Sequence, residues 1–136
     1  MISNNITNYF DLTGQTIVVT GGSGVLGSQY AMSLSQMGAN VVLADIDISK
    51  TNSILKNIKD KFDTNPTAIK VDLSNEKSIL NLVKKVVKKY DKVDTLINNA
   101  AFNPKTKSFH TLFEDFDSSS WDKVMDVNLK GTFLSC

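Results

Sequence analysis

The sequence predicts a doubly wound α/β domain on a parallel sheet, and three observations lead there. Strand-like and helix-like segments alternate from residue 16 onward, the order that yields parallel strands joined by helical crossovers. The strand candidates are near-continuous apolar runs, such as Ile17-Val18-Val19 and Val41-Val42-Leu43-Ala44, as strands covered on both faces are. Between the first run and the first helix stands a glycine-rich turn, Thr20-Gly21-Gly22-Ser23-Gly24-Val25-Leu26-Gly27.

Each element has a local justification. The first strand is expected over residues 16–20 and the first helix over 24–37, with Leu26, Tyr30, Leu34 and Met37 on one stripe. Gly38 ends that helix as a left-handed cap. A second strand spans 40–44. Ser49 is a candidate cap for the next helix, in which Ile54, Leu55, Ile58 and Phe62 recur at helical spacing, and Pro66 closes the unit. The third strand is read over 68–71. Ser74 is a candidate cap for a helix to residue 90, with Ile79, Leu82, Val83, Val86, Val87 and Tyr90 toward the sheet. Its lysines 84, 85, 88 and 89 fall on the other side, as a solvated face. The fourth strand covers 93–97. A long stretch over 98–120, rich in Asn, Ser and Phe, has the length of a functional connection or lid. A last helix begins near Trp121, with three serines ahead of it able to cap.

Composition narrows the function. The 136 residues are 41% hydrophobic, enough for one domain with a core. Net charge is +1, and all 15 basic residues are lysines. Without arginine the usual bidentate readers of phosphate and guanine are missing, which argues against nucleic acid. The single cysteine, Cys136, and single histidine, His110, give no disulfide framework and no metal site. Residues 1–8 read as a frayed polar tail, neither signal peptide nor anchor. No stretch has the apolar length of a membrane span, so a soluble cytoplasmic protein is expected.

The turn carries the chemistry. Gly22, Gly24 and Gly27 satisfy G-x-G-x-x-G, and Gly21, Gly24 and Gly27 satisfy T-G-x-x-G-x-x-G. Glycines there allow a tight turn and close approach to a pyrophosphate, whose charge meets the N-terminus of the following helix. A tight turn with no ligand is the bland reading. Asp45, closing the second strand, is placed to accept from adenosine ribose hydroxyls and to repel a 2′-phosphate. With no arginine to clamp that phosphate, NAD is preferred over NADP. Asp72-Leu73 and Asn98-Asn99-Ala100-Ala101 end the third and fourth strands on the same carboxyl edge, where ligands of open α/β sheets bind. Each of these alone is also ordinary turn chemistry. Asn128, in the middle of a helix, reads from the residues as a kink or an interhelical hydrogen bond.

From Tyr9-Phe10-Asp11-Leu12-Thr13-Gly14 to Phe133, the chain resembles the short-chain dehydrogenases/reductases. Thr20–Gly27 looks like that family's cofactor turn, and Asp72-Leu73 like the pair that contacts adenine. Asn98-Asn99-Ala100-Ala101 is similar to the N-N-A-G signature that steadies the sheet and lines the adenosine side, with Ala101 replacing the glycine. Val127-Asn128-Leu129-Lys130-Gly131 is similar to V-N-L-x-G. The resemblance implies a Rossmann fold and hydride transfer between a nicotinamide cofactor and a carbonyl or secondary alcohol. It makes Gly21, Ser23, Gly24, Val25, Leu26, Gly27, Asp45, Asp72, Leu73, Asn99, Ala100 and Ala101 the cofactor contacts. Asn128 becomes the asparagine that holds a water in a proton relay. It also implies a small-molecule substrate and a homo-oligomer paired through the last helix. The run N-N-A-A-F-N-P-K over 98–105 points weakly to sugar-related members.

Two features separate the chain from that pattern. The glycine spacing is that of the family's extended members, which keeps a sugar-nucleotide epimerase or dehydratase as a rival. The family's acid/base motif, Y-x-x-x-K, does not occur: four residues after Tyr9, Tyr30 and Tyr90 stand Thr13, Leu34 and Asp94. The reading is therefore a cofactor-binding half over 9–136, its sheet truncated after about four strands. A nucleotide-binding module without chemistry and an inert fragment are the alternatives. An apolar fourth strand without an outer neighbour is expected to make the chain poorly soluble. Phe102, Phe109, Phe113 and Phe116 either line a substrate mouth or cover the sheet edge.

Overall fold

The computed structural model describes residues 9–104 and 112–136. The expected tail over 1–8, together with Phe109 and His110, lies outside the described residues. Four strands form one parallel sheet in the order β3-β2-β1-β4. They are β1 (Thr16–Thr20), β2 (Asn40–Asp45), β3 (Thr67–Lys70) and β4 (Thr95–Ile97). The central pair runs in register from Thr16 beside Asn40 to Thr20 beside Ala44, and β4 sets Leu96 against Val18.

Alternation along the strands divides the core in two. Val18, Val42, Ala44 and Ile69 face α3 (Glu76–Tyr90), which supplies Ile79, Leu82 and Val86. Ile17, Val19, Val41 and Leu43 face the other way, against Ala31 of α1 (Val25–Gln36) and Ile58 of α2 (Thr51–Lys61). All five residues of β1 are buried. Each fully buried Val, Leu or Ile contributes about 1.5–3 kcal/mol of transfer free energy, so both faces must be covered, as in a doubly wound fold.

Local details depart from expectation for identifiable reasons. Leu26, Tyr30 and Met37 do not form the core stripe of α1; the buried positions are Gly27, Ala31 and Ser35. Small residues let α1 lie close on β1, and the larger ones turn outward. Gly38 does take the left-handed conformation, at φ +92°. Ser49 does not cap α2, whose N-cap is Lys50. Asn75 rather than Ser74 caps α3, its side chain accepting from the Ser78 N–H. Val83 and Val87, expected toward the sheet, stay about two-fifths exposed, while Ile79, Leu82 and Val86 carry the buried face of α3.

Beyond β4 the described chain resumes with a 3-10 turn (Phe113–Asp115) and then α4 (Ser118–Met125). Asp117 caps α4 by accepting from the Ser119 and Ser120 N–H groups, so the three serines lie inside the helix they were expected to precede. A π-helical turn (Asp126–Gly131) interrupts the helix before it continues as α5 (Thr132–Ser135).

Candidate functional site

The carboxyl ends of the strands and the turn after β1 enclose a cavity of about 480 Å³. Its shape begins at Gly21. That residue holds φ +65°, and a Cβ there would lie 2.9 Å from the Ala100 Cα, so only glycine leaves β1 in this direction. The Gly24 N–H then closes the turn on the Gly21 carbonyl at 3.1 Å. A Cβ on Gly27 would run into that same carbonyl oxygen, which fixes how closely α1 stacks on the turn. Gly24 caps α1 with no side chain, and the first helical turn contains no acidic residue. The unpaired first-turn amides and positive dipole end of α1 therefore stand at the cavity wall formed by Gly24, Val25 and Leu26.

The other strand ends close the ring. At the end of β2, Asp45 accepts from the Ser23 N–H at 2.9 Å and from the Asp47 N–H at 3.0 Å. After β3, Asp72 accepts from the Ser74 N–H and hydroxyl at 2.9 and 2.6 Å, while its own N–H donates to the Ser78 hydroxyl. After β4, Asn99 donates its side-chain amide to the Thr20 carbonyl at 2.9 Å and the Gly21 carbonyl at 3.3 Å. The Thr20 hydroxyl accepts from the Asn99 and Ala100 N–H groups at 3.0 and 3.1 Å. Asn99 thus ties β4 to the turn.

Every predicted cofactor contact lines this cavity except Gly27, which is buried behind the turn. Asn98 leaves the group: its amide faces the Cys136 sulfur at 3.5 Å, in a groove along the outer edge of β4. Asn128 does not line the cavity either. Its Oδ1 accepts from the Phe102 N–H at 2.7 Å and its Nδ2 donates to the Phe102 carbonyl at 3.1 Å. The asparagine grips the chain leaving β4 as a strand neighbour would, from within the π-turn. Phe102 and Val127, brought together by that grip, line the cavity with Ile46 and Val71. Sequence reasoning missed Ile46, Val71 and Val127. Ile46 is 61% exposed directly beyond a strand end, the one pattern that could have flagged it.

An anion-receptive helix end, two carboxylates at neighbouring strand ends and apolar walls are together suited to a nucleotide: phosphate at α1, sugar hydroxyls at a carboxylate, a flat base between aliphatic side chains. Among the described residues no group of three or more potential metal ligands meets, and no helix is long and apolar enough to cross a membrane.

Comparison with known proteins agrees with this geometry. The chain is 34% identical over 126 residues to an NAD-dependent glycerol dehydrogenase of Listeria innocua, covering 92% of this chain and 46% of that protein. A metagenomic short-chain oxidoreductase solved in complex with NADP superposes with a TM-score of 0.83 at 30% identity, over 92% of this chain and 54% of that one. A 3-ketoacyl-(acyl-carrier-protein) reductase from Brucella melitensis, complexed with NADH, gives 0.79 at 27% identity, over 91% and 48%. The chain spans about half the length of the curated relatives it matches. The short chain dehydrogenase family matches residues 15–136, and the chain belongs to that family.

Proposed function

We propose that the cavity binds a nicotinamide dinucleotide and that the whole protein is an oxidoreductase acting between a carbonyl and a secondary alcohol. The observation that carries this reading is the meeting of the α1 N-terminus, the Gly21–Gly27 turn and the Asp45 carboxylate in one cavity. In this reading the α1 amides hold the pyrophosphate, Asp45 accepts from the adenosine ribose, and Asp72 with Leu73 borders the adenine. Asn99 and Ala100 keep the sheet end and turn in register, and Ala101 continues the wall. When bound, the nicotinamide supplies the hydride-exchanging carbon.

Asp45 and the lack of any arginine favour NAD over NADP. Its carboxylate stands where a 2′-phosphate would bring a second negative charge. The relatives include partners of both cofactors, so the preference rests on Asp45 and the missing arginine. Asn128 enters as the relay asparagine. Its side-chain amide is committed to Phe102, so a water would be held from its main-chain carbonyl, which also accepts from the Thr132 hydroxyl at 2.9 Å. Residues 9–136 form the cofactor half, and the acid/base pair of the family's route has no counterpart within them. A homo-oligomer is supported by Trp121, Leu129 and Phe133, exposed along α4, the π-turn and α5.

The test is to supply the full-length protein with NAD or NADP and a panel of polyols and, in reverse, their ketones. Cofactor reduction or oxidation that favours NAD is expected. Failure to bind either dinucleotide contradicts the reading.

A further inference from the structure

We propose that Asp45 is a two-armed clasp that sets the glycine turn before any ligand arrives. Its Oδ2 accepts from the Ser23 N–H in the turn, at 2.9 Å, and its Oδ1 accepts from the Asp47 N–H in the chain leaving β2, at 3.0 Å. The first bond joins residues far apart in sequence across the ends of two strands. The second curls the loop after β2 back toward it. The turn's main-chain tie to β2, from the Gly22 N–H to the Ala44 carbonyl, is long at 3.4 Å, so Asp45 provides the stronger link.

The arrangement explains why the side chain must be aspartate rather than merely polar. A carboxylate has an acceptor at both tips, whereas an asparagine puts an NH2 group at one of them. Facing two N–H groups, asparagine can keep only one arm. Because Ser23 directly precedes Gly24, the N-cap of α1, the clasp also sets the entry to the helix end at the cavity wall. A ligand carrying a phosphate beside Asp45 would push the carboxylate off Ser23 and loosen the turn. The clasp rests on the dinucleotide reading for this ligand consequence alone.

Hydrogen exchange resolved at single amides of the ligand-free full-length protein tests the clasp, with Asp45→Ala and Asp45→Asn as variants. In Asp45→Ala the Ser23 and Asp47 amides are expected to exchange roughly tenfold faster or more, the effect of losing a bond to a charged acceptor. Asp45→Asn should release one of the two. The Val18 and Val42 amides should stay as in the parent, showing that the sheet persists; if Asp45→Ala does not fold, Asp45→Asn carries the test. As a second readout, an NADH analogue lacking both adenosine ribose hydroxyls should bind Asp45→Ala several-fold more weakly than the parent. Unchanged exchange at Ser23 and Asp47 in both variants overturns the clasp, as does equal binding of that analogue by variant and parent when the parent binds NADH. If the exchange responds but the parent binds no dinucleotide, the functional reading fails and the clasp stands.

Discussion

Thr20 shows how much of the site hangs on single atoms. Its hydroxyl donates to the Ile97 carbonyl at 3.3 Å and accepts from the Asn99 and Ala100 N–H groups. Thr20→Val keeps the shape but orphans two part-buried donors, each costing about 1–3 kcal/mol. We expect a stability loss of about 2–4 kcal/mol in urea unfolding of the full-length protein; a loss below about 0.5 kcal/mol would contradict the latch. Gly27→Ala drives a methyl group into the Gly21 carbonyl. Overpacking of this kind costs about 1–3 kcal/mol, and because the turn must shift, dinucleotide affinity should fall by more than the stability loss alone predicts. At this scale the sequence was legible where residue type and position coincide with a backbone demand, as at Gly21 and Gly38. The pairing of Asp45 with Ser23 was not legible, because it depends on two strand ends becoming neighbours.

The elements that frame the site are tied at their ends by side chains acting as strand partners. At the start of β4, Asp94 accepts from the Thr16 N–H at 2.7 Å and pairs with Lys92 at 3.0 Å. The Thr16 hydrogen bond, chiefly, and then Lys92 hold the Asp94 carboxyl below its ordinary 3.8. A group whose folded pKa is depressed stabilises above its unfolded value and loses that contribution as pH falls through the folded one. Stability is therefore expected to decline below about pH 4, and Asp94→Asn should flatten that part of the profile; an unchanged acid limb would remove Asp94 from the account. At the opposite end, Asn128 in the π-turn holds Phe102 by two hydrogen bonds. Such turns recur at functional sites because they free and redirect backbone groups. Asn128→Ala should cost about 1–3 kcal/mol and displace Phe102 from the cavity wall, seen as a change in amide shifts at Phe102 with β1 unaffected. The strands were readable from their unbroken apolar runs and the buried face of α3 from its period, whereas Leu26, Tyr30 and Met37 of the apolar stripe expected for α1 turn outward. The caps at Lys50, Asn75 and Asp117 were not readable, because several Ser, Asp and Asn neighbours compete at each helix start. Asn128 in mid-helix reads as a kink or an interhelical hydrogen bond; the helix is interrupted there by a π-turn, and the side chain bonds Phe102 instead of another helix.

Among the described residues both sheet faces are covered and no strand pairs with the outer side of β4, beside a groove of about 500 Å³ bordered by Val83, Val86 and Val93. An apolar edge of this kind invites pairing. A polypeptide of these 136 residues alone is expected to self-associate in sedimentation velocity; a monodisperse monomer that unfolds cooperatively would contradict this. The parallel sheet and its two-sided core follow from the alternation of elements and the unbroken apolar strands. That these strand ends make one cavity follows from topology, since parallel strands bring all their carboxyl ends to one edge. The π-turn and the grip of Asn128 on Phe102 lay beyond such reasoning. The central claim is that this edge is a dinucleotide site, and the most direct measurement is an amide-resolved NMR titration of the full-length protein with NADH. We expect saturable shifts at Gly22 through Gly27, at Asp45 and at Asp72 and Leu73, with Val83 and Val93 unmoved. Shifts confined to the β4 groove, or none at saturating NADH, would contradict it.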